Sequence, residues 1–399
     1  MQLTGQSVTI IGAGVAGLAA ALAFARRGAA VTVLEQADAI REVGAGLQIS
    51  PNGLAVLRAL GVEPAFAAVA TRAGAVQLID GVTGSGVARL DLTRLGSTLG
   101  YHFVHRADLI ALLAQAAGQA GVALRLVSRV TGVGLDGACP QVTLAGGETI
   151  ETPLLIGADG LHSVTRALVN GPALDRAEPP FFTGQVAWRA LIPAEPGSPS
   201  EAEVHMGPGR HLVSYPLRGG TLRNIVAVEE RSRWVEESWT LRDDAIDLRL
   251  AFAGFSPRVR GWLDQVEDPW LWGLFRHPVA KVWGRALPSG AALILGDAAH
   301  PTLPFLAQGA AMALEDAWVL ADAVARQDSL ASAIAAYTDR RKPRTSRVVA
   351  AANGNARAYH LSGAARLIGH AGLGLLGRFA PGRLMARYDW LYRHDVTAG

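Results

Sequence analysis

Residues 8–35 constrain the fold of this chain more strongly than any other stretch. The apolar run 8–11 predicts a buried strand, and the loop 12–17, which reads GAGVAG, follows it at once. After a helical segment, a second apolar run, 31–34, ends at Glu35. The helical segment places apolar residues on one face, at Val15, Leu18, Ala19 and Leu22. The stretch therefore predicts a strand, a helix and a second, parallel strand.

The glycine loop has the spacing of a dinucleotide-binding fingerprint. Glycines permit the tight turn and let a pyrophosphate approach the helix N-terminus, while an acid at the end of the second strand accepts hydrogen bonds from a ribose. FAD and NAD share the half that such a loop binds, so both are open here; Glu35 argues against a 2′-phosphate. An ordinary closely packed βαβ unit is the alternative. The predicted contacts are Gly12, Gly14, Ala16, Gly17 and Glu35.

A second strand-to-helix stretch lies at residues 291–317. Its apolar start predicts a buried strand that ends at Asp297, and two prolines, Pro301 and Pro304, prevent a regular helix directly after it. The residues that follow have a helical pattern. The start of that helix offers N–H groups and partial positive charge to an anion or an electron-rich ring edge. The N–H groups in question are those of Gly309, Ala310 and Ala311.

Four further positions are candidate cofactor contacts. A third apolar strand ends at Asp159, which repeats the turn at Asp297, although a single such Asp is usually a turn residue. Arg106 opens a helix where the dipole does not favour a cation, so it is either a phosphate or ribose ligand or a surface residue. The glycine-rich segment that follows Arg41 indicates backbone close to a ligand. We add Val130, which lies between two predicted strands.

The chain divides into an α/β part and an inserted antiparallel part. Residues 176–276 are rich in proline and in alternating strands, which indicates a separate antiparallel sheet layer; we predict that this layer binds the substrate. We predict a discontinuous Rossmann-like cofactor domain at 1–175 and 277–360 and a helical C-terminal segment at 361–399. The apolar run 361–376 predicts a buried or interface helix, and the protein is expected to be a monomer or a homodimer.

Three motifs together resemble the single-component flavoprotein aromatic hydroxylases, which include salicylate, 3-hydroxybenzoate and 6-hydroxynicotinate hydroxylases. The resemblance covers nearly the whole chain. The loop 12–17 with Glu35 matches the FAD-adenosine motif of that family. Residues 159–166, which read DGLHSVTR, match its DGxxSxxR motif, and Asp297 matches the Asp that meets the ribityl chain. Arg106 and Arg41 match family arginines that contact the cofactor.

The resemblance implies an FAD-dependent monooxygenase of the class A type. NADH or NADPH would reduce the flavin, and O₂ would add to it as a C4a-hydroperoxide that hydroxylates a small aromatic, phenolic-acid-like substrate. Pro304 matches the proline near the transferred oxygen. The family often has an asparagine where this chain has Ala311, so backbone N–H groups would support the reduced ring instead. A reductase or oxidase of the same fold and a non-catalytic dinucleotide-binding protein are the alternatives.

Two residues of one predicted strand are candidates for the catalytic proton transfers. His211, Val213 and Tyr215 alternate and therefore share one face of the strand. Some family members that act on phenolic acids have the same His-x-x-x-Tyr arrangement, so we predict His211 as the base for a ring hydroxyl and Tyr215 as a proton relay or orienting group. Packing roles are the alternatives. Arg189 and Arg223 would meet a substrate carboxylate or solvent. The Trp-rich insert is expected to wall a dry pocket.

Composition narrows the compartment and the partners. The single cysteine, Cys139, excludes an intramolecular disulfide and fits a reducing cytoplasm. A net charge of +3 does not indicate a nucleic-acid partner. We predict no metal site, no signal peptide and no transmembrane helix, since charges interrupt the long apolar runs. The densest basic run, 340–347, is expected to cap a helix end on the surface.

Overall fold

A computed structural model describes residues 3–40, 46–96, 98–171, 174, 178–231 and 241–398. The strands of this part of the chain are β1 (Ser7–Ile11), β2 (Ala30–Leu34), β3 (Gly46–Ile49), β4 (Thr71–Arg72), β5 (Ala75–Asp80), β6 (Gly86–Asp91), β7 (His102–His105), β8 (Ala123–Arg125), β9 (Val130–Gly134), β10 (Gln141–Leu144), β11 (Thr149–Glu151), β12 (Leu154–Gly157), β13 (Phe181–Pro193), β14 (Glu201–Gly207), β15 (Arg210–Leu217), β16 (Leu222–Glu230), β17 (Trp270–Arg276), β18 (Gly284–Ala286) and β19 (Ala291–Ile294). The helices are α1 (Val15–Ala25), α2 (Pro51–Ala59), α3 (Glu63–Val69), α4 (Arg106–Gln119), α5 (Val164–Asn170), α6 (Ala245–Ala251), α7 (Pro257–Leu263), α8 (Gly309–Arg326), α9 (Leu330–Tyr359), α10 (Gly363–Phe379), α11 (Pro381–Ala386) and α12 (Asp389–Tyr392).

A mostly parallel sheet of six strands forms the base of the molecule, in the order β18-β19-β12-β1-β2-β8. Its inner strands are short apolar runs, because both faces are covered. The α1 helix is likewise apolar nearly all round, and residues such as Leu18, Leu22 and Phe24 are buried. The predicted βαβ unit and the mixed α/β class are confirmed.

The carboxyl ends of four strands of this sheet lie in one row. Ile11 pairs with Leu34 on one side and with Gly157 on the other, and Gly157 pairs with Ile294. The loops that follow β1, β2, β12 and β19 therefore leave the sheet side by side. Ligands of open α/β sheets bind at this edge, so the row brings the separate sequence motifs together.

A second sheet of seven strands is built largely from the predicted insert, in the order β17-β13-β16-β15-β14-β5-β6. Two of its strands, β5 and β6, come from residues 75–91, outside the predicted layer 176–276. They join through a parallel pairing of β5 with β14, for example Leu78 with Val204. This pairing is between distant segments and has no local sequence signal. The domain boundaries themselves stay a prediction.

The two faces of the seven-stranded sheet pack against different elements. One face buries Trp188 and Trp262 in a cluster with residues of α6 and α7. The other face meets the loop before α8, where Leu303 and Phe305 pack against Val226 and Val228. The expectation that tryptophans wall the pocket is wrong for Trp188 and Trp262, since alternation turns Trp188 to the opposite face.

The helices α8 and α9 enclose a buried ionic network. Arg341 is fully buried and donates to Glu315 and to Asp316, the latter at 2.7 Å. Arg344 donates to both oxygens of Glu315, at 2.7 and 2.8 Å. The prediction that residues 340–347 cap a surface helix end is wrong, because they lie inside α9 and their charges neutralise two buried acids.

The C-terminal helix α10 is amphipathic in sequence but no residue of it is buried. Leu367, Ile368 and Phe379 are 66%, 72% and 75% exposed. Of the two expectations for this run, burial is wrong and an interface remains a prediction. In the described part of the chain, no helix is both long and apolar enough to cross a bilayer.

Candidate active site

The glycine loop after β1 is held against the loop after β12. Gly12 has a φ of +100°, and a Cβ there would lie 2.5 Å from the carbonyl oxygen of Ala158. A Cβ at Gly17 would overlap the carbonyl oxygen of Gly12. At Gly14, by contrast, a Cβ would meet no atom within 4 Å. The loop is therefore tight where it turns and open where α1 begins, which is where a pyrophosphate would lie.

Glu35 lies beneath this loop at the end of β2. Its Oε2 accepts from the N–H of Ala13 at 2.8 Å and its Oε1 from the N–H of Ala37 at 2.9 Å. Both bonds fix the carboxylate beside the start of α1, and each oxygen keeps a lone pair for a ribose hydroxyl. The position fits the predicted role of Glu35.

The loop after β19 approaches the start of α1 from the other side. Gly296 has a φ of +61°, and a Cβ there would lie 2.9 Å from the Cβ of Ala16. Its N–H donates to Asp316 Oδ2 at 3.0 Å, and His300 Nε2 bonds the same oxygen. Asp297 is exposed although its neighbours on both sides are buried. Asp316 therefore holds this loop in place, and Asp297 lies exposed in the row of loops.

The N-terminus of α8 is open toward this row. Gln308 precedes the helix but its side chain makes no capping bond, and the first turn contains no acid. Gly309 and Ala310 are half-buried. No side chain of the first turn therefore competes with an anionic ligand edge for their N–H groups.

Ala311 is fully buried, and its side chain packs on α2. Its Cβ would lie 3.1 Å from a Cβ at Gly53 of α2. Gln308 also bonds to the start of α2: its Nε2 donates to Ser50 Oγ at 2.9 Å, and its Oε1 accepts from Asn52 at 3.2 Å. The small residue at 311 therefore belongs to a close contact between two helices.

Asp159 holds its own loop together. Its Oδ1 accepts from Ser163 Oγ at 2.5 Å, and its Oδ2 accepts from the N–H and the hydroxyl of Thr165, both at 3.1 Å. Burial raises the pKa of Asp159 above its ordinary value, against these hydrogen bonds. Arg166 ties the loop to the connection between β17 and β18, donating to the carbonyl of Pro278 at 2.9 Å.

The other predicted cofactor contacts are placed as follows. Arg106 is the first residue of α4, directly after β7, and is half-buried. Val130 begins β9, and the preceding Ser128 donates its N–H to the carbonyl of Glu35 at 2.7 Å. Val130 therefore lies two residues after a backbone bond to the acid. Arg41 lies outside the described residues.

His211, Val213 and Tyr215 point to the loop face of the seven-stranded sheet, where the alternation predicted them. The ring of His211 lies 5.7 Å from that of Phe305, which directly follows Pro304. Val213 packs in the cluster that contains Phe305. Tyr215 is stacked on Phe103 at 4.9 Å. One strand thus lines the underside of the Pro304 loop.

His211 also heads a chain of hydrogen bonds that sequence reasoning missed. Its Nδ1 lies 2.6 Å from Nε2 of His360, and Nδ1 of His360 lies 2.8 Å from Oε1 of Glu230. Burial, and then the charge of His360, hold the pKa of His211 well below its ordinary value. His211 is therefore neutral near pH 7.

The two candidate arginines have different surroundings. Arg223 is buried and donates to Glu195 at 2.6 Å and to Ser214 at 2.9 Å, so it is committed to structure. Arg189 lies on the loop face, where its guanidinium is 3.8 Å from the ring centre of Trp272. It pairs in register with Val226, which pairs with Val213 of the His211 strand. Arg189 and His211 are therefore two strand spacings apart across the sheet and two residues apart along it, about 12 Å between Cα atoms, on one face.

The described residues fit FAD at both ends of the row. The open space at Gly14, the fixed carboxylate of Glu35 and the uncapped starts of α1 and α8 are what a dinucleotide and an anionic ring edge require. The apolar cover of Leu303 and Phe305 over the sheet then excludes water beside the same loop.

Comparison with known proteins gives one family match. The model described as "FAD binding domain" matches residues 6–246 and 264–352. The chain is 36% identical over 374 residues to 3-hydroxybenzoate 6-hydroxylase of Klebsiella oxytoca, with 90% of each chain covered. It is 33% identical over 401 residues to 3-hydroxybenzoate 6-hydroxylase of Polaromonas naphthalenivorans (strain CJ2), covering 98% of this chain and 96% of the relative.

The fold is similar to that of a solved structure. A salicylate hydroxylase substrate complex superposes with a TM-score of 0.80, at 23% identity, over 99% of this chain and 97% of the other. At that identity the likeness concerns the fold, including the placement of the second sheet over the first.

Proposed function

The chain belongs to the FAD binding domain family of flavoprotein aromatic hydroxylases, and we propose that it hydroxylates a small phenolic acid at the loop face of its seven-stranded sheet. Members of this group are FAD-dependent monooxygenases that use NADH or NADPH as co-substrate. Since 3-hydroxybenzoate is the named substrate of two relatives, it is the first compound to test.

The proposed cofactor contacts follow from the row of loops. Glu35 holds a ribose, the N–H groups of α1 at Gly14 face the pyrophosphate, and Asp297 accepts from the ribityl chain. The uncapped N–H groups of Gly309 and Ala310 face the edge of the ring that becomes anionic on reduction. When bound, FAD supplies the chemistry that takes electrons from the nicotinamide and activates O₂.

One observation carries the proposal: His211 and Arg189 lie on the same covered sheet face, beneath the loop of Pro304 and Phe305. A base and a cation whose Cα atoms lie about 12 Å apart, with their side chains on one face, suit a substrate with a hydroxyl at one end and a carboxylate at the other. Neither group alone would select this class, because a phenol lacks the anion and a benzoate lacks the acidic hydroxyl.

His211 acts as the base for the ring hydroxyl. A phenol that loses its proton becomes a more electron-rich ring and a better acceptor of electrophilic oxygen. Neutral imidazole is required for this step, and burial keeps His211 neutral. Burial also raises the pKa of Tyr215 far above its ordinary value, so its hydroxyl stays protonated and orients neighbouring groups by donating.

Arg189 binds the carboxylate. Its guanidinium stacks on Trp272, and a planar guanidinium can make two parallel bonds to a planar anion in the manner typical of arginine. Arg223 is not proposed for this role, because Glu195 and Ser214 already occupy it.

A substrate panel tests the proposal. Hydroxylated benzoates and nicotinates are added one at a time to the FAD-loaded enzyme, and NADH or NADPH oxidation is followed with peroxide measured alongside. The proposal expects a phenolic acid to accelerate nicotinamide oxidation with little peroxide. Stoichiometric peroxide with unchanged phenol for every compound would favour an oxidase and contradict hydroxylation.

A matched pair of variants tests the base. His211→Ala should lower hydroxylation about 10²–10⁴-fold while FAD binding persists. His205→Ala is the control, since His205 is a buried histidine of the neighbouring strand that packs on Trp262 in the opposite layer. Equal turnover of the His211 variant and the wild type across the pH range would remove His211 from the mechanism.

We also propose a reducing, cytoplasmic location, which the lone Cys139 supports. A monomer or a homodimer fits the chain, and the exposed apolar side chains of α10 suit the second.

A further inference from the structure

We infer that Glu230 and His360 form a proton relay that fixes the tautomer of His211 and connects it to solvent. The inference rests on the proposed function for the substrate that loses the proton. It rests on geometry for the relay itself: His211 Nδ1 to His360 Nε2 is 2.6 Å, and His360 Nδ1 to Glu230 Oε1 is 2.8 Å. The three residues come from β15, the end of α9 and the end of β16.

The hydrogen-bond order follows from the surface inward. A carboxylate only accepts, so Nδ1 of His360 carries a proton and donates to Glu230. A neutral His360 then has its lone pair on Nε2, and His211 must donate to it from Nδ1. The remaining lone pair of His211 is on Nε2. Glu230 therefore keeps Nε2 of His211 unprotonated and able to act as a base, although Glu230 does not contact His211.

Exposure rises along the same chain of atoms. His211 is 2% exposed, and the side chain of His360 is also 2% exposed, but the side chain of Glu230 is 54% exposed. The relay therefore begins in the covered face of the sheet and ends in water. His360 connects the two environments and is held by a bond from the N–H of Gly209 to its carbonyl at 3.2 Å.

The proton balance is simple. The substrate hydroxyl gives its proton to Nε2 of His211 as the Nδ1 proton of His211 passes to Nε2 of His360. The Nδ1 proton of His360 passes to the Glu230 carboxylate and from there to water. One O–H bond breaks in the substrate, one proton appears in solvent, and each imidazole ends neutral with its proton on the other nitrogen.

Such a path is needed because a buried base cannot keep the proton that it accepts. Because burial lowers the pKa of His211, this residue holds a proton poorly, and a base that cannot hold a proton must pass it on. The groups around the relay do not provide another exit. Arg210 opposes a positive charge on His360, and the ring of Tyr359 lies against His211 at 5.1 Å. Gln185 Nε2 is 3.5 Å from His360 Nδ1 and is neutral.

The tautomer is tested without any substrate. Nitrogen-15 NMR of histidine-labelled, FAD-loaded enzyme at neutral pH should show His211 with a protonated Nδ1 and a pyridine-type Nε2. Glu230→Gln should redistribute His211 between tautomers, because an amide can either accept from or donate to His360. Glu229→Gln is the matched control, since Glu229 pairs with Arg210 and Arg231 instead. An Nε2-protonated His211 in the wild type would overturn the inference.

The relay is tested by proton release. The FAD-loaded enzyme is mixed in a stopped-flow instrument with 3-hydroxybenzoate, or with whichever phenolic acid of the panel is hydroxylated, in weak buffer with a pH indicator. His360→Ala and Glu230→Gln should each slow proton release at least about tenfold, since a positioned proton carrier contributes on the order of 10²–10⁴-fold. Added imidazole should restore the rate of the alanine variant and leave the wild type unchanged.

Failures of the two proposals are distinguishable. If no phenolic acid is hydroxylated by the wild type, the proposed function fails, and the NMR result still decides the tautomer. If the wild type hydroxylates a phenolic acid and both variants release the proton at the wild-type rate, the relay is wrong while the proposed function stands. Flavin absorbance shows whether a variant has lost FAD. If the His360→Ala variant has lost it, the nitrogen-15 NMR spectrum and the proton release of the Glu230→Gln variant test the relay instead.

Discussion

Replacing Arg341 by methionine should destabilise the protein strongly. The guanidinium is fully buried between Glu315 and Asp316, and it also donates to the carbonyl of Met312 at 3.3 Å. Methionine fills much of the volume but leaves two buried carboxylates with fewer partners. Glu315 keeps Arg344 and Asn52, while Asp316 keeps only His300 and the N–H of Gly296.

The magnitude follows from these partners. Removing one side of a buried ion pair costs about 3–5 kcal/mol, because the remaining charge stays desolvated. Unfolding entropy near 60 °C is about 2.1 cal/mol/K per residue, or about 0.84 kcal/mol/K for 399 residues, so Tm should fall by about 4–6 °C. FAD affinity should fall as well, since Asp316 anchors Gly296 next to Asp297.

Differential scanning calorimetry of the flavin-free and FAD-loaded forms measures the first effect, and flavin fluorescence titration measures the second. The control is Arg340→Met, the neighbouring residue, which pairs with Asp322 and whose side chain is 40% exposed. A surface pair of this kind is worth about 0–1 kcal/mol. Equal Tm values for the two variants would refute the account of the buried network.

The pH dependence of stability gives an independent check that Arg341 stabilises the two buried carboxylates in their charged form. In the wild type, Arg341 and its neighbours hold the pKa values of Glu315 and Asp316 below their ordinary range, against the effect of burial. A depressed folded pKa contributes stability above the unfolded pKa, and this stability is lost as pH falls through the folded pKa. The stability gap between wild type and Arg341→Met should therefore narrow below about pH 4. A gap that widens on acidification would contradict the assignment.

Three further changes have defined outcomes. Glu35→Gln should weaken FAD binding at least about tenfold, since one carboxylate oxygen that accepts from Ala13 or Ala37 becomes a donor; unchanged affinity in a fluorescence titration would contradict it. Ala311→Asn should cost about 1–3 kcal/mol by overpacking against Gly53, measured by urea unfolding, whereas a more stable variant would place position 311 at the flavin. Arg189→Met should raise KM for a phenolic acid at least about tenfold while leaving the corresponding phenol unchanged; an equal effect on both would remove Arg189 from carboxylate binding.

The cofactor end of the molecule could be predicted because its signals are local. The GAGVAG loop and Glu35 are separated by one helix, and the close approach of Gly17 to the carbonyl oxygen of Gly12 lies within the loop itself. Alternation within one strand likewise placed His211 and Tyr215 on a common face. These are properties of short segments, which a sequence shows directly.

The relay and the ionic network could not be predicted because their partners are distant in sequence. His211 and His360 are 149 positions apart, and His360 and Glu230 are 130 apart. Arg341 lies in a run whose composition indicates a solvated helix end, and only the packing of α9 on α8 makes it a buried cation. The addition of β5 and β6 to the second sheet is also a long-range pairing.

The most direct test of the central claim is the fate of molecular oxygen. The FAD-loaded enzyme is supplied with NADH or NADPH, the phenolic acid that most accelerates its oxidation, and O₂ labelled with oxygen-18, and the product is weighed by mass spectrometry. Hydroxylation at the face of His211 and Arg189 predicts one labelled oxygen atom per product molecule, with nicotinamide consumed in equal amount. Product without label, or labelled peroxide together with unchanged phenolic acid, would contradict the account.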